Sequence, residues 1–280
     1  MAEDSSAAKN ASFVGSIPEI YDRYLGPMLF HGYAVDLAAR VRWPAAGAGK
    51  VLELAAGTGI LTEQLVARMP AGVQLTVTDL NPPMLAVAER RMEGTGRGRE
   101  IVWQMADATT LPFPDQSFDA VVCQFGAMFF PDKVQAFREA YRVLRPGGQW
   151  LFNVWGSWAE NRFASLVNDT ITGFFPADPP GFYRVPFGLH DPGTLRSLVM
   201  EAGFPEPTIT ELRETSSAPS AAHAAEGLVR GNPVIAAIEE RGTGSAEQIV
   251  AAVAAALTRE FGDKPLHFPT VARVVEVGRA

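Results

Sequence analysis

From Lys50 to Trp155, short apolar runs alternate with longer stretches whose apolar residues recur at helical spacing, and few folds accommodate that order. Val51–Leu54 reads as a strand running into Ala-Ala-Gly-Thr-Gly, and Ile60–Met69 follows with helical spacing. Val73–Thr78 is a β-branched run closed by Asp79. Asn81 stands where an N-cap belongs and Pro82 suits the first helical position, so a helix is predicted there. Ile101–Met105 and Phe118–Gln124 read as a third and a fourth strand. Asp132 opens a helix with Gln135 three residues on and Val134, Phe137, Tyr141 and Leu144 along one face. Pro146-Gly147-Gly148 ends it, and Gln149–Trp155 makes a fifth strand. This alternation implies βαβ units, hence a parallel sheet with right-handed crossovers.

Outside that stretch the pattern changes. Residues 1–12 are polar and small and read as a mobile tail. Ile17–Trp43 reads as largely helical, interrupted near Gly26-Pro27 and rich in aromatics (Tyr21, Tyr24, Phe30, Tyr33). Asp191-Pro192 to Gly203 carries both start and stop signals of a helix, and Pro207–Arg213 and Val271–Gly278 are expected as late strands. Ser157–His190, with Phe174, Phe175, Pro176, Pro179, Pro180 and Phe182, reads as a cap over a pocket. Ser216–Pro265 is Ala-rich and helical. Ser245 with Gln248 has capping-box spacing there and Gly262 a stop. It reads as an insertion before the last strand, or as a helical element packing on a second subunit. The expected organisation is one domain over residues 13–280, with a core at 44–156, a cap at 157–190 and an insertion at 216–265.

Composition narrows the partners. In 280 residues, 47% hydrophobic, there is material for one sizeable core with a modest cap. The 24 basic and 31 acidic residues leave a net charge of −7, so neither nucleic acid nor an anionic membrane surface is expected as a partner. The local cluster Arg90, Arg91, Arg97 and Arg99 reads as a helix C-terminus and the loop after it, where cations offset the dipole. The single Cys123 rules out a disulfide within the chain and fits a reducing compartment. His31, His190, His223 and His267 lack ligand spacing, so no metal is expected. No segment approaches the roughly 20 apolar residues of a membrane helix, and Met1–Ser12 lacks the apolar core of a secretion signal. A cytoplasmic monomer or homodimer is the expectation.

The chemistry concentrates at the predicted strand ends. Small residues after Val51–Leu54 let the backbone turn sharply and let a ligand approach its N–H groups, though a Gly-rich turn also opens NAD-binding domains. Glu53 falls inside the first strand, where a carboxylate is expensive without a partner. Asp79 ends the second strand 20 residues after Gly59, where a carboxylate takes two ribose hydroxyls. Asp107 and Ala108 follow the third, where a side-chain acceptor and a backbone N–H read an adenine edge. Each acid alone reads as a surface residue or helix cap; as a set at the carboxyl ends of parallel strands they read as a ligand site.

These pieces resemble a class I S-adenosylmethionine-dependent methyltransferase, and are similar to the branch of the ubiquinone/menaquinone C-methyltransferases. The matching segments are VLELAAGTGILTEQL, VTDLNPPMLAVAERR, DATTLPFPDQSFDAVVCQFGAMFFPD and REAYRVLRPGGQWLFNVW, with a weaker match in YDRYLGPMLF. The resemblance implies a Rossmann-like α/β fold, a seven-stranded mostly parallel sheet flanked by helices, with S-adenosyl-L-methionine as cofactor. It implies that Ala55, Gly57 and Gly59 line the methionine portion, with Glu53 supporting the ammonium. Asp79 would hold the ribose, Leu80 and Met84 would flank the adenine, and Asp107 and Ala108 would meet its edge. Gln124 would sit beside the methionine amine, and Tyr21 would close over the carboxylate. Ala55 departs from the pattern, since many members carry glycine there, and it fits if its φ stays negative.

The expected reaction is methyl transfer to a small-molecule acceptor by in-line displacement, its O, N or C atom left open. The enzyme mainly aligns the nucleophile, and an apolar pocket suits the dispersing charge. Phe125, Phe129, Phe130, Trp155, Trp158, Phe174 and Phe175 are of the right type for that pocket, although rings of this kind are also ordinary core. His31 and His190 are the candidates for a general base, no catalytic residue being assigned. Two other readings stay open. One is an NAD-dependent oxidoreductase, against which Thr62 stands at the third glycine of the dinucleotide pattern. The other is a non-methylating S-adenosylmethionine-binding protein.

Overall fold

The computed structural model describes residues 9–43, 49–93, 101–242 and 245–280. The chain enters through α1 (Ile17–Ile20), a π-helix (Tyr21–Phe30) and α2 (His31–Ala39). One sheet follows, of β1 (Lys50–Leu54), β2 (Gln74–Asp79), β3 (Ile101–Met105), β4 (Phe118–Gln124), β5 (Leu144–Trp155), β6 (Thr208–Ala218) and β7 (Leu266–Gly278). Its order is β3-β2-β1-β4-β5-β7-β6. β1 to β5 run parallel, and β7 is antiparallel to both neighbours. Helices α3 (Ile60–Arg68), α4 (Pro82–Met92) and α5 (Lys133–Val143) make the crossovers. This is the seven-stranded, mostly parallel sheet expected from the sequence.

Helices on both faces explain why Val51, Leu52 and Leu54, and Ala120 to Cys123, are apolar without alternation and all buried. The chain winds outward from β1 to β3 and then returns to β4 on the other side of β1. Crossovers therefore diverge between β1 and β4, which opens a crevice at their carboxyl ends.

Several boundaries depart from expectation for local reasons. The helix does not break at Gly26-Pro27: it widens to π register, and His31 N donates to Gly26 O five residues back. A wider turn absorbs the N–H that proline lacks. β5 starts at Leu144, before Pro146, because its register with β4 jumps from Phe118↔Leu144 to Ala120↔Gln149 and the Pro-Gly-Gly segment bulges out. β6 and β7 are longer than expected, paired from Thr208↔Glu276 to Ala218↔Leu266. β6 is an edge strand with an exposed polar row, so its apolar signal is weak.

The helical stretch expected from Ser216 therefore starts after Ala218. It comprises α8 (Ala221–Arg230), α9 (Val234–Arg241) and α10 (Ala246–Phe261), and it follows α6 (Arg162–Thr172) and α7 (Pro192–Glu201) in the chain. α10 carries the full Ser245–Gln248 capping box and packs against α8 and α6 of its own chain. Of the tail expected at 1–12, residues 1–8 lie outside the described residues. Lys9 pairs with Glu240, and Ala11 O accepts from Asn81 Nδ2 at 3.1 Å. Arg97 and Arg99 of the basic cluster also lie outside. Arg91, expected only to offset a dipole, pairs with Asp22 and Glu63 and donates to Thr58 O.

Candidate functional site

β1 ends at Leu54, and the next residues turn sharply under β2: Ala56 N donates to Thr78 O at 2.9 Å. Gly57 and Gly59 have φ of 57° and 81°, the left-handed region. Ala55, expected at negative φ, instead takes φ 50°. A non-glycine residue there costs about 1–2 kcal/mol, so something must hold it. Gly126 shows what does. A Cβ at that position would lie 2.5 Å from the Ala55 Cβ, so the methyl group fills a notch that only glycine leaves. Gly59, expected beside the ligand, faces Ala88 of α4, 2.9 Å from where its own Cβ would stand. Its role is helix packing, and it is off the cavity wall.

Asp79 closes β2 and its carboxylate reaches back under the turn. Oδ2 accepts from Gly57 N and Oδ1 from Asn81 N, both at 2.8 Å. Burial pushes its carboxyl above the usual range, opposed by these bonds. Oδ1 also accepts from Asn81 Nδ2 at 3.3 Å, so Oδ2 is the oxygen that keeps a lone pair to offer a ligand. Asn81, expected as an N-cap, makes no side-chain cap bond. Its Oδ1 accepts from Phe13 N at 3.2 Å, which straps the segment before α1 across the β2 end.

Glu53 is buried behind the turn, its Oε2 accepting from Thr62 Oγ1 at 2.7 Å while Oε1 has no partner. Burial pushes its carboxyl up to about 8. Thr62, where a dinucleotide pattern needs a third glycine, thus spends its hydroxyl on this acid.

On the far wall, Gln124 ends β4. Its Nε2 donates to Phe30 O at 2.9 Å, and its buried Oε1 has no partner. Phe125 follows at φ 48°, its N–H shared between Asn153 O at 3.1 Å and Asn153 Oδ1 at 3.0 Å. That turn lays its ring flat on Trp155, centroids 4.0 Å apart. Tyr21 stacks on Phe30 at 5.0 Å and meets Phe13 edge-on. Burial, then the negative Asp79 and Asp22, hold its phenol above the ordinary range.

Tyr21, Ala55, Gly57, Asp79, Leu80, Met84, Asp107, Ala108 and Gln124 all line one cavity of about 340 Å³. Asp107 is tied into its turn by Thr109 N at 2.8 Å and Thr109 Oγ1 at 2.7 Å. Neither Glu53 nor Gly59 reaches this wall. The two histidines do not either. His31 is exposed at the start of α2, and His190 is turned to Phe187 O at 2.9 Å.

A smaller chamber of about 60 Å³ adjoins the cavity, with Phe13, Tyr21, Phe30, Phe125 and Phe129 bordering both. Trp155, Phe163, Phe182, Tyr183 and Phe187 wall its far side, whereas Trp158, Phe174 and Phe175 stay off it. Trp158 backs Phe187. Nothing in the sequence marks Phe13 or Phe187, and Asn81 reads there only as a helix cap. Phe13 sits next to a stretch that reads as tail, and nothing in its local pattern tells of the strap.

Among the described residues no group of acids, histidines and cysteine could hold a metal, and no helix is long and apolar enough to cross a membrane.

Residues 51–148 match the family described as a methyltransferase domain. A demethylmenaquinone methyltransferase of Thermus thermophilus is 48% identical over 100 residues, 36% of this chain and 44% of that protein. A ubiquinone/menaquinone biosynthesis C-methyltransferase of Bartonella tribocorum is 37% identical over 139 residues, 49% of this chain and 54% of that protein. The chain thus spans about half the length of these curated relatives. The fold is shared with a Haemonchus contortus phosphoethanolamine N-methyltransferase solved with S-adenosylhomocysteine. That likeness covers 95% of this chain and 60% of the other, at TM-score 0.54 and 18% identity. The resemblance read from the strand-end motifs is borne out.

Proposed function

We propose, from a chain whose residues 51–148 are a methyltransferase domain on the class I fold, that it transfers a methyl group from S-adenosylmethionine to a small-molecule acceptor. One observation carries the reading: the Ala55–Gly57 turn, Asp79 and Asp107 come to one rim of the sheet and line one cavity.

The residues fit such a ligand. Asp79 offers its Oδ2 to the ribose, and Leu80 and Met84 offer apolar faces to the adenine beside Asp107 and Ala108. The unpartnered Gln124 Oε1 is an acceptor suited to the methionine ammonium, and buried polar atoms of that kind are costly unless something meets them. Glu53 stands behind the turn, held by Thr62 of α3. When bound, S-adenosylmethionine supplies a methyl carbon that is already electrophilic.

What the protein adds is alignment and exclusion of water. Alignment is worth on the order of 7–11 kcal/mol at the favourable extreme. Phe125, fixed by Asn153 and Trp155, stands between cavity and chamber, where it borders both partners of an in-line displacement. With His31 and His190 away from the cavity, neither is assigned as a base. The net charge of −7 supports a partner that is not nucleic acid, and a cytoplasmic monomer or homodimer is the working description.

Calorimetric titration tests this. S-adenosylmethionine is expected to bind one per chain and NADH not at all. NADH binding without S-adenosylmethionine binding overturns the reading.

A further inference from the structure

We infer that Glu53 is a specificity-determining residue that selects the ligand by its charge. With Asp79 it forms a buried acidic pair that has no counter-ion. A cationic donor is taken up with loss of a proton from the pair, whereas the neutral demethylated product leaves that proton in place. The inference rests on the cofactor reading above, which sets S-adenosylmethionine (one net positive charge) against S-adenosylhomocysteine (none) in one cavity.

Strand register makes the pair. Glu53 lies opposite Val77 on β2 and Val122 on β4, and its side chain is 1% exposed. Asp79, also buried, ends β2 two residues beyond Val77. Thr62 of α3 meets only Oε2 of Glu53, and Oε1 has no partner. Asp79 is met by Gly57 N, Asn81 N and Asn81 Nδ2, which are dipoles and not charges. Among the described residues no lysine, arginine or histidine pairs with either acid. Arg91, the cation at this turn, donates to Thr58 O and is paired with Asp22 and Glu63. Facing the pair are the Cys123 thiol of β4 and the Tyr21 phenol of the π-helix. Burial pushes the thiol up to about 12 and the phenol above its ordinary range, so both are neutral.

Two adjacent negative charges do not persist in such a place. An ionised carboxylate in an apolar interior costs far more than an unmet hydrogen bond, so the acid with the weaker support keeps its proton. That acid is Glu53, with one hydroxyl donor against three N–H donors on Asp79. Burial, with Asp79 adding to it, pushes the Glu53 carboxyl up to about 8.

The cavity lies directly in front. Leu54, next in the chain to Glu53, lines it together with Ala55–Thr58 and Asp79. Two buried polar atoms of lining residues, Thr58 Oγ1 and Gln124 Oε1, have no partner. Among the described residues no lysine, arginine or histidine lines this wall. What the site lacks is positive charge. A ligand cation held there favours the carboxylate form of Glu53, and the proton leaves. A pocket of apolar faces alone would give the opposite order, because stripping a cation of water is costly without a counter-charge.

Calorimetry on the full chain at pH 7, repeated in buffers of different protonation enthalpy, tests the inference by counting protons. S-adenosylmethionine is expected to release at least about half a proton per chain, and S-adenosylhomocysteine less than about half of that amount. The amine of either ligand, bound as ammonium, can only take protons up, so release has to come from the protein. Glu53→Gln, checked for folding by circular dichroism, is expected to lose the release. Its preference for S-adenosylmethionine over S-adenosylhomocysteine is expected to fall about twofold or more. The wild-type count stands without that variant. No release with S-adenosylmethionine, equal release with the two ligands, or undiminished release from Glu53→Gln overturns the inference. If both ligands bind without release, this inference fails and the cofactor reading stands; if neither binds, the cofactor reading fails and the inference with it.

Discussion

The two halves of the site are built by different means. The rim at β1, β2 and β3 is made of a left-handed backbone turn, its N–H groups and the carboxylates at strand ends, all within residues 53–108. The chamber is made of side chains brought from Leu25, Trp155, Phe163, Phe187 and Asn232, separated by most of the chain. A backbone cradle tolerates few changes because strand register and turn geometry fix it. A wall of rings accepts changes of size and polarity at the cost of altered selectivity.

That contrast breaks most visibly at Gly126. Gly126→Ala places a methyl 2.5 Å from the Ala55 Cβ and 2.8 Å from Cys123 Sγ. The turn has to shift, and overpacking of this kind costs about 1–3 kcal/mol. Thermal melting is expected to show that loss, and calorimetry a fall of about a hundredfold in S-adenosylmethionine affinity, since roughly 2.7 kcal/mol is a hundredfold. Asp79→Ala comes next, with affinity at least about tenfold lower through lost charge-assisted hydrogen bonds.

Phe187→Ala sharpens the comparison from the other side. Acceptor KM is expected to rise roughly fivefold, about 1 kcal/mol of ring contact, with cofactor affinity changed less than about twofold. Equal losses of both would mean that the two halves are not separable.

The smallest effect is one of pH. Glu53 is raised to about 8 in the folded chain by burial, and is nearer its ordinary value unfolded. The folded state therefore holds the extra proton in the interval between, and stability from this group is lost as pH rises through about 8. Glu53→Gln is expected to melt progressively higher relative to wild type between about pH 5 and 8. A constant gap in melting temperature would show that Glu53 does not titrate there.

The same contrast explains what the sequence revealed. Asp79, Asp107 and the Ala55–Gly59 turn were legible because parallel strands put their ends at one rim, and short local patterns mark strand ends. Glu53 was marked by a carboxylate inside an apolar strand, although its partner proved to be Thr62. Ala55 misled, since its positive φ depends on Gly126, a contact across the sheet that no local pattern records. The histidines misled for a related reason. Their segments border the site, but helix phase turns His31 to solvent, and a bond to Phe187 O holds His190. Phe187 and Asn232 went unmarked because an isolated ring or amide in a helical or loop segment reads as core or surface until the fold brings the two to one chamber.

A crystal structure of the chain with S-adenosylhomocysteine tests the central claim most directly. The account expects the ribose hydroxyls on Asp79, the adenine against Asp107 and Ala108, and the sulfur facing Phe125 and the chamber. Density for the ligand seated away from Asp79, or turned with its sulfur away from Phe125, would contradict it.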